Sequence, residues 1–460
     1  MMMKTNKIYS NTRGNKRRIR TRRLRNLFAL NAPEVRHVHV AMLRTNARAR
    51  RCTGSAEALV PETASLSNAA GLRPSQAILS GLNAAKHLAV IGRRLCEPLT
   101  GVGRYLQSLL YHWGRSETPF RRITVFAPGQ PNLPAGTIRP PVEVRIVPSH
   151  VSPLLWENVL LPPRMGGVDL VFGPYTLPWV LAGRGVVSNL GIYESRPADF
   201  SMLDRLRTTP FFKHSARKAR WVLANSESTK NDLVHHYGVD PARTQVVYLG
   251  VDPELRPAEG ADAAELPPAI RERYGLPAGP FFLFVGKLSK RRNIPMLLEA
   301  FARLRSSRGV PHSLVIIGPD YLGLDVPRRA AALSVAAAVH YRPHVPMEFL
   351  VDFYRATTAF VLPTEHEGFS LTIPESMACG APVIVFDHAA LEAGLREAAW
   401  VIQEPSAEKL CDAMGRVVSD TAFRAGLRQA SLQCAERFSW QETARLTMAA
   451  LERALQRGSR

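Results

Sequence analysis

The sequence predicts an α/β protein with two doubly wound domains that face a common cleft. The chain has 460 residues, which is too long for one ordinary hydrophobic core. Short apolar strand candidates alternate with helical patterns, as in parallel sheets covered by helices on both faces. The alternation breaks over residues 253–279, where proline, alanine and charged residues are typical of an interdomain linker.

The first series of elements begins near residue 86, with the buried strand candidate His87–Gly92. The loop Thr100–Arg104 precedes a helical pattern that ends at Trp113. Ser226–Asp232 has the hydroxyl and acidic residues of a capped helix start. The other strand candidates are Ile123–Ala127, Val142–Val147, Val168–Phe172, Val186–Asn189, Trp221–Ala224 and Val246–Tyr248.

The second series begins at Phe281–Val285 and ends in successive amphipathic helices from about residue 407 to residue 455. We therefore expect one domain over residues 86–255, a linker over 256–279 and a second domain over 280–437. The remaining strand candidates of this series are Leu314–Ile317, Val339–Tyr341, Ala359–Leu362, Val383–Phe386 and Trp400–Ile402.

Composition and cysteine spacing narrow the class of protein. The hydrophobic content of 46% is that of a soluble globular protein, and no apolar run reaches the roughly 18 residues of a membrane-spanning helix. The cysteines lack the spacing of a zinc site or disulfide framework, which indicates a reducing compartment. They are Cys52, Cys96, Cys379, Cys411 and Cys434.

The net charge of +22 resides mostly in the first 51 residues, which contain 15 lysines and arginines and one acid, Glu34. Residues 1–85 are predicted to be a basic, disordered extension because the like-charged block Lys16–Arg25 has little apolar content. A nucleic-acid arm, an organelle presequence, a membrane contact and an extension without a role remain open. Nucleic acid is an improbable partner of the globular part, whose modest positive charge suits an anionic ligand or a membrane surface.

Two carboxylates lie eight residues apart in the run Glu367–Ile384. They flank a glycine-containing turn between a strand and a helix, where ligands bind in doubly wound sheets. A metal site is disfavoured because only His366 lies nearby. A glycosidase acid/base pair is also disfavoured, because its two carboxyl groups would have to face one bond from opposite sides, which residues on one loop and the following helix do not easily do. Glu367 and Glu375 best fit acceptors for sugar and ribose hydroxyls, although Glu375 could also complement a helix dipole.

A basic loop joins the first strand of the second series to the next helix. Gly286 allows close approach of a ligand to the backbone, and the helix N-terminus adds positive partial charge. A diphosphate suits this site, although a solvated basic loop is the alternative. The basic residues are Lys287, Lys290, Arg291 and Arg292. Gly101 and Gly103 occupy the equivalent loop of the first domain and indicate either ligand approach or only a tight turn.

The run Glu367–Ile384 resembles the Glu-x7-Glu signature of the retaining glycosyltransferase family 4 (group 1). That family has the GT-B fold of two Rossmann-like domains, and the similarity covers most of residues 86–455. The other matching segments are Phe284–Asn293, Ala224–Lys230, Val247–Asp252 and Phe438–Trp440 with Ala444. The resemblance implies that residues 438–460 form a C-terminal helix that crosses back to the first domain.

The resemblance also implies roles for individual residues. Lys287 and Arg292 would hold the donor diphosphate, and their charge would stabilise the departing group. Glu367 would bind the donor sugar and complete this catalytic set, while Glu375 would bind the ribose. The expected substrate-binding residues are Gly101, Gly103, Gly286, Ser370, Leu371, Thr372 and Glu375.

The activity implied is retaining transfer of a hexose, such as mannose or glucose, from a nucleotide-diphospho sugar to a glycan or lipid-linked acceptor. No metal or cofactor is expected, and the departing diphosphate would act as base. The first domain would bind the acceptor and the second the donor, in a cytoplasmic protein with possible peripheral contact at the inner membrane face. Cell-envelope polysaccharide biosynthesis, including that of lipopolysaccharide, is the expected setting.

One segment departs from the family pattern. Many relatives have a His-Asp pair where this chain has Ser188–Glu194. Tyr193 and Glu194 could substitute, or the loop could serve packing alone. His344 and His366 are expected to be surface or loop groups rather than ligands. A catalytically inactive GT-B protein that binds nucleotide sugars or acts as a scaffold is therefore the alternative.

Overall fold

Two parallel β-sheets form the scaffold of the protein. The computed structural model describes residues 86–97, 100–192, 202–258 and 265–457, so the extension predicted over 1–85 lies outside the described residues. The first sheet contains β1 Lys86–Ile91, β2 Phe120–Ala127, β3 Val142–Ile146, β4 Leu170–Pro174, β5 Gly185–Asn189, β6 Trp221–Ala224 and β7 Thr244–Val246. The second contains β8 Phe281–Val285, β9 Ser313–Ile317, β10 Val339–Arg342, β11 Ala359–Leu362, β12 Val383–Phe386 and β13 Trp400–Ile402.

The strand order in each sheet is that of a doubly wound fold. The first sheet runs β3-β2-β1-β4-β5-β6-β7 and the second runs β10-β9-β8-β11-β12-β13, with every pair parallel. In each sheet the chain starts centrally, builds one edge and then returns to build the other. The carboxyl ends of β8, β11 and β12 are therefore neighbours, and loops that follow them converge on one region.

Most helices lie between the strands, and the last three follow β13. They are α1 Gly101–Trp113, α2 Pro153–Leu155, α3 Met202–Lys218, α4 Glu227–Asp232, α5 Pro268–Arg273, α6 Ile294–Arg308, α7 Val326–Ala332, α8 Met347–Ala356, α9 Thr372–Ala378, α10 Leu395–Ala398, α11 Ala407–Ser419, α12 Thr421–Ala435 and α13 Trp440–Arg457. No helix in the described part of the chain combines the length and apolar character needed to cross a bilayer.

The helix α1 begins earlier than the sequence predicts. The segment Thr100–Arg104 was expected to be a loop, but Gly101 opens the helix and Gly103 is buried within it. The apolar face that ends at Trp113 explains this difference, because its burial stabilises the helix and glycine costs little in a first turn. The ring of Trp113 packs edge-on against that of Phe172, with centroids 5.8 Å apart.

The structure differs from the sequence prediction in three other segments. The strand β4 begins two residues later than expected, because residues 166–167 form a turn before it, and β7 begins and ends two residues earlier. The predicted linker contains α5, which starts with Pro268 at its first position and buries Ile270. The capped start at Ser226 is confirmed, since its hydroxyl accepts a hydrogen bond from the Thr229 amide at 2.9 Å.

The C-terminal helix α13 packs against the first sheet and α1, as the resemblance implies. Thr443 donates a hydrogen bond to the carbonyl of Tyr248 at 2.8 Å, and Trp113 donates to that of Ala444 at 3.2 Å. Gly250 permits this approach, because a Cβ atom there would lie only 2.1 Å from the amide nitrogen of Trp440.

Candidate active site

A buried ion pair lies where the loops after β8 and β11 meet. Nε of Arg292 donates a hydrogen bond to Oε1 of Glu367 at 2.8 Å, and Arg291 approaches the other carboxylate oxygen at 3.4 Å. The hydroxyl oxygen of Thr364 lies 3.4 Å from Oε1. Glu367 is only 2% exposed. The structure thus brings together two of the three predicted catalytic residues, directly bonded to one another.

The carboxyl group of Glu367 is ionised despite its burial. Burial alone would raise its pKa, but the guanidinium groups of Arg292 and Arg291 lower it to about 2. An ionised carboxylate can accept several hydrogen bonds, and the contact of Oε2 to Arg291 is the longer of the two arginine contacts. The arrangement can accept hydrogen bonds from ligand hydroxyl groups.

Gly286 makes room for the Arg292 side chain. Its φ angle is +148°, and an added Cβ atom would lie 1.8 Å from Nη1 of Arg292. Any other residue here would both strain the backbone and displace the guanidinium group. The direct contact between Gly286 and a ligand stays a prediction.

Lys287 is exposed at the edge of a cationic cluster. Partial burial lowers its pKa, and three neighbouring guanidinium groups lower it further. They belong to Arg292, Arg291 and Arg94. Because these cations repel one another, a bound anion would stabilise the cluster.

Arg94 was missed by the sequence reasoning. It follows β1 in the first domain, where Nη1 donates to Glu97 at 2.9 Å. Its only sequence signal is its position just beyond a central strand, in the short turn Arg93–Leu95. The cationic cluster therefore includes residues from both domains.

Glu375 is buried against the first domain. It is 1% exposed, and its Oε1 accepts a hydrogen bond from Arg104 at 2.5 Å. Tyr354 donates to its other oxygen at 3.3 Å, and Arg104 also donates to Asp252 at 2.6 Å. Burial raises the pKa of Glu375, and Arg104 opposes this rise. Both carboxylate oxygens of Glu375 thus already accept a hydrogen bond from the protein, and its ribose role stays a prediction.

Gly101 and Leu371 lie on facing walls of the cleft. A Cβ atom on Gly101 would stand 3.6 Å from the Leu371 side chain. Ser370 has a left-handed φ of +57° and its hydroxyl lies 3.2 Å from that of Thr372. Thr372 opens α9, so its amide has no acceptor within the helix. Ligand contacts of these residues and of Gly103 stay predictions.

Glu392 joins the two domains and was also missed. Its carboxylate accepts hydrogen bonds from the amides of Glu227 and Ser228, both at 2.7 Å, and from the hydroxyl of Tyr248 at 3.1 Å. It therefore caps the start of α4 from the loop after β12. No sequence motif predicts this contact, because the capping side chain lies more than 160 residues along the chain from the helix that it caps.

The loop that departs from the family pattern is described only in part. Tyr193 and Glu194 lie outside the described residues. His344 is exposed, and His366 lies in the loop after β11, where it is buried at 6% exposure. Its carbonyl accepts hydrogen bonds from Arg291 and Thr364, which draw this loop inward. No group of three or more potential metal-ligating side chains lies together within the described ranges.

Comparison with known families matches both halves of the chain. The family described as "Glycosyl transferases group 1" matches residues 268–433, and "Glycosyltransferase Family 4" matches residues 99–255. The first match covers the second sheet and the Glu367–Glu375 run, and the second covers most of the first sheet.

Curated relatives include D-inositol 3-phosphate glycosyltransferases. The one from Streptomyces bingchenggensis is 34% identical over 241 residues, which are 49% of this chain and 51% of that protein. The one from Rhodococcus jostii is 33% identical over 233 residues, 48% of this chain and 50% of that protein. The chain thus spans about half the length of these relatives.

Solved structures share the fold at low sequence identity. WaaG, a glycosyltransferase involved in lipopolysaccharide biosynthesis, has a TM-score of 0.63 at 18% identity and covers 79% of this chain and 98% of its own. Anabaena Alr3699/HepE in complex with UDP-glucose has a TM-score of 0.60 at 17% identity, covering 79% and 98%. These similarities confirm the predicted two-domain fold.

Proposed function

Because this chain belongs to the group 1 (family 4) glycosyltransferases, we propose that it transfers a hexose from a nucleotide-diphospho sugar to a glycan or lipid-linked acceptor. The observation that carries this proposal is the buried Arg292–Glu367 pair, set beside further cations from both domains. A diphosphate would bind among the cations, and the attached sugar would then lie near the ionised carboxylate.

The cations have a chemical task in this proposal. When the bond between the sugar and the diphosphate breaks, negative charge builds on the departing oxygen. Lys287 and Arg292 would stabilise that charge without having to move, because both side chains are already in position before the bond breaks. A diphosphate held in this way needs no metal ion for charge neutralisation. We further propose retention of configuration, with the departing diphosphate accepting the proton of the acceptor hydroxyl.

The proposed setting is cell-envelope polysaccharide assembly in the cytoplasm. WaaG is involved in lipopolysaccharide biosynthesis and HepE binds UDP-glucose, which supports a sugar-nucleotide donor and a glycan or lipid-linked acceptor. Mannose and glucose are the hexoses to be tested first.

The first prediction concerns Lys287, which is exposed and has few structural bonds to lose. In a screen of UDP-, GDP- and ADP-sugars, the purified protein is expected to release nucleotide from one donor. Lys287→Ala should lower kcat/KM for that donor by about 10- to 100-fold, in the range for one charged contact to a reacting group. Its melting temperature should not change.

Arg303→Ala is the matched control, because Arg303 is an exposed cation of the second domain whose salt bridge, to Glu299, lies within one helix. It should leave kcat/KM unchanged. Nucleotide-sugar binding without turnover across a broad acceptor panel would favour the inactive, scaffold alternative. No binding of any nucleotide sugar would contradict both proposals.

We propose that a separate surface of the first domain contacts the membrane. Val180, Leu203 and Leu206 are 71%, 56% and 64% exposed. The segments that carry them pack together, since the rings of Trp179 and Phe211 lie 5.7 Å apart. The exposed cations Arg184 and Arg207 flank them. Apolar side chains beside basic residues suit the interface of an anionic bilayer.

The second prediction is that the double variant Leu203→Glu/Leu206→Glu binds vesicles of phosphatidylglycerol at least about tenfold more weakly than the wild type. Each added carboxylate removes apolar contact and repels the anionic surface. Vesicle cosedimentation would measure the change. Leu333→Glu alters another exposed leucine, in the second domain, and should have no effect. Equal binding by all three proteins would contradict the membrane surface.

A further inference from the structure

His388 is a buried histidine whose ring has no hydrogen-bond partner. It lies in the loop after β12, is 6% exposed, and both of its ring nitrogens lack a partner among the described residues. Among the other half-buried histidines, His87 shares a 2.8 Å hydrogen bond with Thr124. One ring nitrogen each of His312 and His340 is buried without a partner among the described residues, whereas in His388 both are.

An unpaired imidazole in this position weakens folding. Burial removes the water that both nitrogens would otherwise bind, and no protein group replaces it. A phenylalanine or leucine would fill the space without that cost. The polar ring therefore suits a partner that is present only when a ligand is bound.

The position of His388 identifies that partner. The strand β12 is the neighbour of β11, so the loops that carry His388 and Glu367 leave the same edge of the sheet. The charge of Glu367 acts on His388 and the charge of Asp387 does so as well. Asp387 is already bonded to Arg396 at 2.6 Å, and neither acid accepts a hydrogen bond from the imidazole.

The ring is neutral at physiological pH. Burial lowers the pKa of His388 to about 4, although Glu367 and Asp387 act to raise it. A neutral imidazole offers one N–H donor and one nitrogen acceptor. Glu367 can only accept hydrogen bonds. The two side chains together therefore match a pair of hydroxyl groups better than either does alone.

We propose that His388 contacts the donor sugar, where it exchanges a hydrogen bond with a hydroxyl group next to the one held by Glu367. This inference rests on the proposed function and deepens it. It makes His388 a residue that selects the configuration of the sugar, because an inverted hydroxyl would leave the ring unpaired and buried. The nucleoside diphosphate part of the donor does not enter the contact.

The test compares the nucleoside diphosphate with its sugar conjugate. Calorimetry would give Kd for UDP and UDP-glucose, or for GDP and GDP-mannose, according to the donor screen. His388→Ala is expected to weaken the sugar nucleotide about tenfold, the size of one hydrogen bond to a buried partner, and to change the nucleoside diphosphate less than about twofold. His388→Asn, which keeps a donor and an acceptor, should regain part of the loss.

Stability provides the second measurement. His388→Phe should melt at the same temperature as the wild type or higher, because no internal hydrogen bond is lost. If all three variants keep the wild-type ratio of the two Kd values, the inference is overturned while the proposed function stands. If His388→Phe instead melts well below the wild type with that ratio unchanged, His388 is a packing residue. A wild type that binds no nucleotide sugar overturns both proposals.

Discussion

Arg292→Ala is expected to lose at least about 100-fold in kcat/KM and about 3–5 kcal/mol in the free energy of unfolding. The first loss follows from removing a fixed cation at the departing diphosphate. The second follows from leaving Glu367, which is 2% exposed, as a buried charge without its principal partner. Donor turnover and urea unfolding would measure the two losses separately.

Adding Glu367→Gln to Arg292→Ala separates the catalytic role of the Arg292–Glu367 pair from its role in folding. The double variant Arg292→Ala/Glu367→Gln no longer contains a buried carboxylate at this position, so it should recover most of the stability lost by Arg292→Ala. It should remain inactive, because neither the cation nor the ionised acceptor is restored. Recovery of activity together with stability would show that Arg292 acts only through folding.

The pH dependence of the same variants provides a further readout. Although burial opposes this, the guanidinium groups of Arg292 and Arg291 lower the pKa of Glu367 from its ordinary value of 4.5 to about 2. Its stabilising effect in the wild type is therefore present above pH 4.5 and is lost as pH falls toward 2. The stability difference between the wild type and Arg292→Ala should shrink over that range, since a protonated carboxyl group needs no cation.

The sequence predicted the elements better than the contacts between them. The apolar run Phe281–Val285 and the glycine-containing run after Glu367 indicate a strand and a turn by local composition alone. Local patterns of this kind also placed Arg292 and Glu367 at the carboxyl edge of one sheet. They could not show that the two side chains bond directly, because that depends on how neighbouring loops pack.

Local sequence patterns do not predict contacts between domains. Arg104 and Glu375 are 271 residues apart, and Glu392 caps a helix 165 residues earlier. Their pairing depends on the tertiary arrangement of two sheets. The sequence did not predict a role for His388 for a related reason. A lone histidine belongs to no motif, and only the folded structure shows that its ring lacks a hydrogen-bond partner.

Arg104→Ala is expected to reduce the free energy of unfolding by about 3–5 kcal/mol, mainly because Glu375 is 1% exposed and would lose its only cationic hydrogen-bond partner in the described structure. Asp252, at 34% side-chain exposure, would recover more water and contributes less. Chemical unfolding of Arg104→Ala, Glu375→Gln and the double variant would give the coupling free energy between the two side chains.

The same substitution tests whether Arg104 holds the domains together. Arg104 lies on α1 of the first domain and Glu375 on α9 of the second, so their bond links the walls of the cleft. Removing it should enlarge the radius of gyration in X-ray scattering and lower turnover, because closure of the cleft excludes water and positions the donor. Arg445→Ala removes an exposed pair within α13 and should change neither quantity. An unchanged radius of gyration combined with the full loss of stability would show that Arg104 serves to neutralise Glu375 and does not govern closure.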